Sequence, residues 1–268
     1  MNNLRIVLII FSIVSMSNCK EKSNKQNSES SITVTKPNDT AIAGKWKRVS
    51  PNGPLSIHFK ENGKVEIDLG DDSSTDIVSN YKIINDTIRF IDEKGKSCPE
   101  IGVYKIYNRG YTVSFDLIND LCNGRIKSTM GFWVRTNHNE LISDLNTIIE
   151  NSNDFKFILH RARMYLALRR TKLAKKDFDS YIKKDSLDAN VFINRASIRF
   201  PYDLKGVVYD CNKSINLDST NKNAYFLRGL AYYGLGEKQK GCDDFQKSID
   251  LGFEILKDAE YNKCKDYW

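Results

Sequence analysis

Three stretches in the second half of the chain repeat one another at a near-constant interval. Phe157-Ile158-Leu159-His160-Arg161-Ala162-Arg163-Met164-Tyr165, Val191-Phe192-Ile193-Asn194-Arg195-Ala196-Ser197-Ile198-Arg199 and Ala224-Tyr225-Phe226-Leu227-Arg228-Gly229-Leu230-Ala231-Tyr232 align, and their arginines Arg161, Arg195 and Arg228 fall 34 and then 33 residues apart. Each stretch is followed by a second helical pattern, over Lys175–Lys184, Gly206–Leu217 and Lys240–Leu251. A helix pair reused at this interval leaves an apolar face uncovered, so the copies must stack into one continuous core. Small residues at Ala162, Ala196 and Gly229 let the paired helices approach, while Phe178, Cys211 and Phe245 fill the matching slot opposite. This places Cys211 as a buried packing thiol without a catalytic partner. The pairs Arg161/Asp177, Arg195/Asp210 and Arg228/Asp244, separated by 16, 15 and 16 residues, predict a recurring helix-to-helix ion pair. Such a clip contributes about 1 kcal/mol where partly exposed.

The last copy, from Arg228-Gly229-Leu230-Ala231-Tyr232-Tyr233-Gly234-Leu235-Gly236-Glu237 to Asp244-Phe245-Gln246-Lys247-Ser248-Ile249-Asp250-Leu251, resembles the tetratricopeptide repeat (TPR). The resemblance implies an all-α solenoid over residues 137–268: about three helix pairs, with Glu140–Glu150 covering one end and Glu254–Lys265 the other. Pro201 and a one-residue deletion disturb the middle turn, and Gly252 stands where these repeats usually end in Asp-Pro. Arrays of this kind bind extended peptides or partner helices on the concave face of their first helices. Carried over by position, that face comprises Leu159, Arg163, Leu166, Ile193, Ser197, Phe200, Phe226, Leu230 and Tyr233. Between Phe155 and Lys176 stand eight basic residues and no acid (Lys156, Arg161, Arg163, Arg169, Arg170, Lys172, Lys175, Lys176). They read either as a solvated helix exterior or as a docking patch for an acidic partner or anionic surface.

Residues 41–136 carry a different rhythm. Short alternating runs recur about every ten residues: Lys45–Val49, Leu55–Phe59, Lys64–Leu69, Ile77–Ile83, Thr87–Ile91, Ile101–Tyr107, Tyr111–Leu117 and Ile126–Arg135. Turn signals such as Asn62-Gly63 and Asn108-Arg109-Gly110 separate them and supply the positive φ that tight hairpins need. Alternation points Leu55, Ile57, Phe59, Val65, Ile67 and Leu69 inward, together with Tyr111, Val113, Phe115 and Leu117. Connections this short favour an up-and-down meander, closed into a small antiparallel barrel that leaves no free edge. With Val103 opposite Phe115, Cys98 and Cys122 stand nearly side by side, predicting a disulfide. Cys242 and Cys264, on the last repeat and its cap, form the second candidate pair. Asp68, Asp71, Asp72 and Asp76 lack calcium-loop spacing and read as a solvated turn.

Gly44-Lys45-Trp46, Cys98-Pro99 with Gly102-Val103-Tyr104-Lys105, Asp120-Leu121-Cys122-Asn123-Gly124-Arg125, and Gly131-Phe132-Trp133-Val134-Arg135 together resemble bacterial lipocalin-like domains of unassigned function. That resemblance implies that Trp46 closes the barrel floor beneath Arg135. It also opens a carrier or sensor reading, with a small apolar ligand inside the barrel.

The first 19 residues carry Arg5, an apolar run Ile6–Val14 and Met16-Ser17-Asn18-Cys19-Lys20. The run is shorter than the roughly 20 residues that span a bilayer, so it reads as an export signal. The cysteine junction resembles a bacterial lipobox and implies lipidation of Cys19, with an outer-membrane anchor in the cell envelope. Residues 20–40 are polar and aperiodic, the composition of a flexible linker. A chain of 268 residues predicts one or two domains, each large enough for its own core. The net charge of +7 (41 basic against 34 acidic residues) is mild, and the exported compartment argues against nucleic acid. No Gly-rich phosphate loop, nucleophile elbow or metal-spaced His/Cys cluster occurs, so the expectation is no enzyme, no cofactor and no metal. The reading is a multi-domain α and β lipoprotein acting as a protein–protein interaction scaffold, the small-ligand carrier being the alternative.

Overall fold

A computed structural model describes residues 42–50, 52–92, 98, 100–152, 154–253, 264 and 267. The expected signal, the Cys19 anchor, the linker and most of the Glu254–Lys265 cap lie outside the described residues. Eight antiparallel strands close into a barrel in sequence order: β1 (Gly44–Ser50), β2 (Gly53–Phe59), β3 (Lys64–Asp68), β4 (Ile77–Ile84), β5 (Thr87–Asp92), β6 (Gly102–Asn108), β7 (Thr112–Asn119) and β8 (Gly131–Arg135). Closure runs through Trp46↔Arg135 and Lys47↔Val134. Most of the inward set follows the alternation of the sequence, and Trp46, Ile57, Phe59, Val65, Ile88, Phe90, Val113, Phe115 and Trp133 are all buried, whereas Leu69, expected inward, lies past the end of β3 and is 45% exposed. Phe59, Phe90 and Phe115 meet one another across the barrel with ring centroids 6.2–6.3 Å apart, so aromatic side chains occupy its middle.

Three barrel expectations are corrected. The start of the Ile126–Arg135 run is not strand: residues Asn123–Thr129 form helix α1, leaving β8 only Gly131–Arg135. Arg48 Nη2 and Trp133 Nε1 donate to the carbonyls of Lys127 and Thr129, both at 2.8 Å, which ties α1 over one barrel end. The β6–β7 register places Ile106, not Val103, opposite Phe115, because the hairpin turn pairs Asn108 with Val113 and the ladder runs on unbroken from there to Tyr104; a bulge shifts it only beyond, between Val103 and Tyr104. Cys98 and Cys122 are nonetheless joined in a disulfide. Tyr111 does not point into the barrel; it precedes β7 in the turn and packs on the helical region.

Seven further helices lie wholly among the described residues: α2 (His138–Asn151), α3 (Lys156–Ala167), α4 (Thr171–Ile182), α5 (Ala189–Arg199), α6 (Leu204–Leu217), α7 (Lys222–Gly234) and α8 (Lys238–Asp250). Asp188, Asp203 and Asn221 cap α5, α6 and α7, their side chains accepting from the backbone N–H of Asn190, Gly206 and Ala224. The pairs α3/α4, α5/α6 and α7/α8 stack in series, with α2 against α3. Gly229 shows why a small residue recurs at the crossing: a Cβ there would meet the Phe245 ring at 2.7 Å and the Gly241 carbonyl at 2.9 Å. The chain is thus an eight-stranded antiparallel barrel followed by a TPR-like helical repeat region.

Candidate interaction surface

Each repeat is fastened by one arginine using its whole fork. Arg161 donates from Nε and Nη2 to Asp177 at 2.8 Å, and from Nη1 to Asn146 on α2 at 2.7 Å. Arg195 holds Asp210 at 3.0 and 2.5 Å and reaches Asp179 on α4 at 2.8 Å. Arg228 holds Asp244 at 2.7 Å twice and reaches Asn212 on α6 at 2.6 Å. The bidentate half joins two helices of one repeat; the third nitrogen joins that repeat to the one before it. Asp177 and Asp244 hold Arg161 and Arg228 above the ordinary guanidinium range, and Asp210 with Asp179 does the same for Arg195. The second acceptors, Asn146, Asp179 and Asn212, were missed in the sequence, although they stand 33 residues apart and two residues after Asp144, Asp177 and Asp210.

The expected concave face is not open. Leu159, Arg163, Ile193, Ser197, Phe200, Phe226 and Leu230 are only 1–9% exposed. Leu166 and Tyr233 are half-buried. Over α3 the cover is the protein's own barrel. On the outside of β7 and β8, Thr112, Ser114, Phe132 and Val134 are buried, and β7 and β8 both pack on α3. Phe132 and Val134 share a buried cluster with Leu159 and Ala162 of α3. Tyr111 lies against His160 of α3, ring centroids 5.3 Å apart. Five residues along, Asp116 feels the positive charge of Lys222 at the start of α7. A continuous buried apolar cluster joins Ile193, Phe200, Phe226 and Leu230 to Trp46, Val113 and Phe115 of the barrel. Phe226 is also covered by Phe253, at 4.7 Å between centroids.

Asp116 is the charged group at this contact. Burial pushes its carboxyl up to about 6, against the pull of the Tyr107 hydroxyl, Lys222, Arg109 and Lys105. Tyr107 donates to its Oδ2 at 3.1 Å.

The basic run divides on folding. Arg161 is a clip, Arg163 is buried, and Lys175 pairs with Asp179 at 2.9 Å. Arg169, Arg170, Lys172 and Lys176 are exposed around the α3–α4 turn. Asp68 is a loop organiser, its carboxylate accepting from the N–H groups of Gly70, Asp72 and Ser73. Arg135 lies 4.0 Å over the Trp46 ring and donates to the Ala43 carbonyl at 2.7 Å. Gly44 makes room for it: a Cβ there, at φ +112°, would sit 2.6 Å from the Arg135 Nη1. Cys242 and Cys264 form a second disulfide, while Cys211 is a buried free thiol whose titration burial pushes up. Among the described residues, no group of three or more His, Cys, Asp or Glu is placed to hold a metal ion. No helix among them is long and apolar enough to cross a membrane.

No protein-family model matches the chain, and no curated protein matches it. Among solved structures, a crystal structure of MamA is similar at 16% identity and a TM-score of 0.43, covering 47% of this chain and 81% of that one. MamA residues 41 to the end from Desulfovibrio magneticus RS-1 give 20% identity, TM-score 0.43, and coverage of 48% and 77%. The TPR2B domain of yeast Sti1, solved as a complex with pHsp70, gives 20% identity, TM-score 0.39, and coverage of 44% and 100%. The repeat architecture rests on this chain's own coordinates rather than on likenesses this distant.

Proposed function

We propose that the chain is a non-enzymatic, lipid-tethered envelope scaffold whose helical repeats serve protein–protein interaction, with its own barrel as the built-in occupant of the groove. One observation supports this reading: Phe132 and Val134 on the outside of β8 share a buried cluster with Leu159 and Ala162 of α3, so the barrel packs on the leading helix of the first repeat. A repeat array grips polypeptide on its leading helices, and in this reading α3 holds the barrel of the same chain. An external partner then docks on the outside of the joined body. The exposed Arg169, Arg170, Lys172 and Lys176 fit an acidic protein surface there.

The test is affinity purification of the full chain from detergent-solubilised envelopes after mild cross-linking. A stoichiometric protein partner is expected with the wild type, and its loss with the triple variant Arg169→Glu, Lys172→Glu, Lys176→Glu. Recovery of no protein with the wild type, or undiminished recovery with the triple variant, contradicts the assignment.

A further inference from the structure

Arg48 is an inward residue of β1, two positions from Trp46 and opposite the buried Leu55. It is 4% exposed. Its Nη2 donates to the Lys127 carbonyl of α1 at 2.8 Å, and its guanidinium lies 5.1 Å from the centre of the Trp133 ring. Its Nε is buried without a hydrogen-bond partner. Among the described residues no carboxylate pairs with it. Arg125, at the same end of the barrel, is different: Asp120 accepts from its Nε at 2.6 Å and from its Nη2 at 2.8 Å. That pair cancels its own charge and leaves Arg48 as an uncompensated cation. A lone buried charge is strongly disfavoured unless an opposite charge joins it.

We propose that the α1 end of the barrel is a binding site for a small monocarboxylate, centred on Arg48. The free Nε edge of the guanidinium suits a carboxylate oxygen, and the planar fork is matched to that group. One uncompensated positive charge calls for one negative charge; a dianionic phosphate would bury an excess of the opposite sign. The Trp133 face supplies an apolar wall for the body of the ligand. Phe59, Phe90 and Phe115 fill the barrel beyond it, which limits that body to a few carbons and excludes a long acyl chain. Burial alone pulls the Arg48 guanidinium down to about 9, the direction a bound carboxylate would reverse. Access runs past α1. The Cys98–Cys122 disulfide holds the start of that helix, whereas its far end is held by hydrogen bonds to the Lys127 and Thr129 carbonyls.

The probe is sodium butyrate, added to the full chain, with butanol, sodium phosphate and sodium chloride at matched ionic strength as controls. Butyrate is expected to raise the melting temperature saturably and to bind by titration calorimetry, with butanol and phosphate at least tenfold weaker. Arg48→Met is expected to weaken butyrate binding at least tenfold while raising the melting temperature of the unliganded chain, because the unpaired charge is gone. In the 15N-labelled wild type, the Arg48 Nε–H resonance is expected to move with butyrate, a readout that needs no variant. A butyrate response no larger than that of chloride, or one that survives in Arg48→Met, overturns the proposal. So does a lowered melting temperature of Arg48→Met with no butyrate effect on the wild type, which would make Arg48 only an anchor for α1.

Discussion

In the helical region, Arg161, Arg195 and Arg228 each meet a carboxylate on the partner helix and a further acceptor on the preceding unit; in the barrel, Arg48 is buried with one backbone carbonyl and, among the described residues, no carboxylate. The repeats fasten residues 15 or 16 positions apart and do so three times over. The barrel closes on contacts such as Arg135 to Ala43, 92 positions apart. A damaged clip in a stack therefore disturbs its neighbours, while a damaged closure costs the whole ring. Packed on α3, β7 and β8 turn these two modes of stability into one question: whether the halves unfold together.

Phe115→Ala puts that question most forcefully. It empties the middle of the barrel and is expected to cost about 4 kcal/mol. Tryptophan fluorescence and helical circular dichroism should shift together in urea; separated transitions would show that the seated strand does not couple the halves. Asp210→Asn comes next, at about 3 kcal/mol, since it strips the buried Arg195 of its bidentate partner. A loss below 1 kcal/mol in the same titration would mean that Asp179 alone suffices.

The third experiment addresses the contact itself through pH. The folded Asp116 carboxyl stands at about 6, above its unfolded value of about 3.9, so the fold favours the protonated form. Its contribution is complete below pH ~4 and fades as pH rises through ~6. The wild type should lose about 2 kcal/mol between pH 4 and 7, after discounting for the water that still reaches the group. Asp116→Asn should flatten that part of the profile, and an unchanged slope would remove Asp116 from the account. Arg135→Ala follows at about 1 kcal/mol, from its stacking on Trp46. Asn212→Ala should cost only about 0.5–1 kcal/mol, as the loss of one link between repeats. Both are read from urea midpoints, and a reversed order would mean that the array depends on its inter-repeat links more than the barrel depends on its closure.

Much of this was legible in the residues, for stated reasons. Periodicity displays itself in sequence, so the helix pairs and the Arg–Asp clips could be read directly. Alternation likewise found most of the strands. Helix α1 was misread because seven residues are too few for a helical period, and Ile126-Lys127-Ser128 alternates as a strand would. Its conformation is secured from outside, by the Arg48 and Trp133 side chains. The cover over α3 depends on tertiary docking, yet one signal was available. Phe132-Trp133-Val134 is apolar on both faces of its strand, which means cover on both sides. Trp133 faces the barrel core, while Phe132 and Val134 face α3. Of the nine expected docking residues, Leu159 shares its buried cluster with Phe132 and Val134, which are joined to it by the same backbone.

The bracing of Trp46 beneath Arg135 has a mechanical meaning. The indole donates to the Ile42 carbonyl and the guanidinium to that of Ala43, both within 2.7–2.8 Å, so the strand leaves the barrel already knotted at its first two residues. A tug arriving from the amino-terminal side would be absorbed at that knot, before the ladder between β1 and its neighbours carries any load.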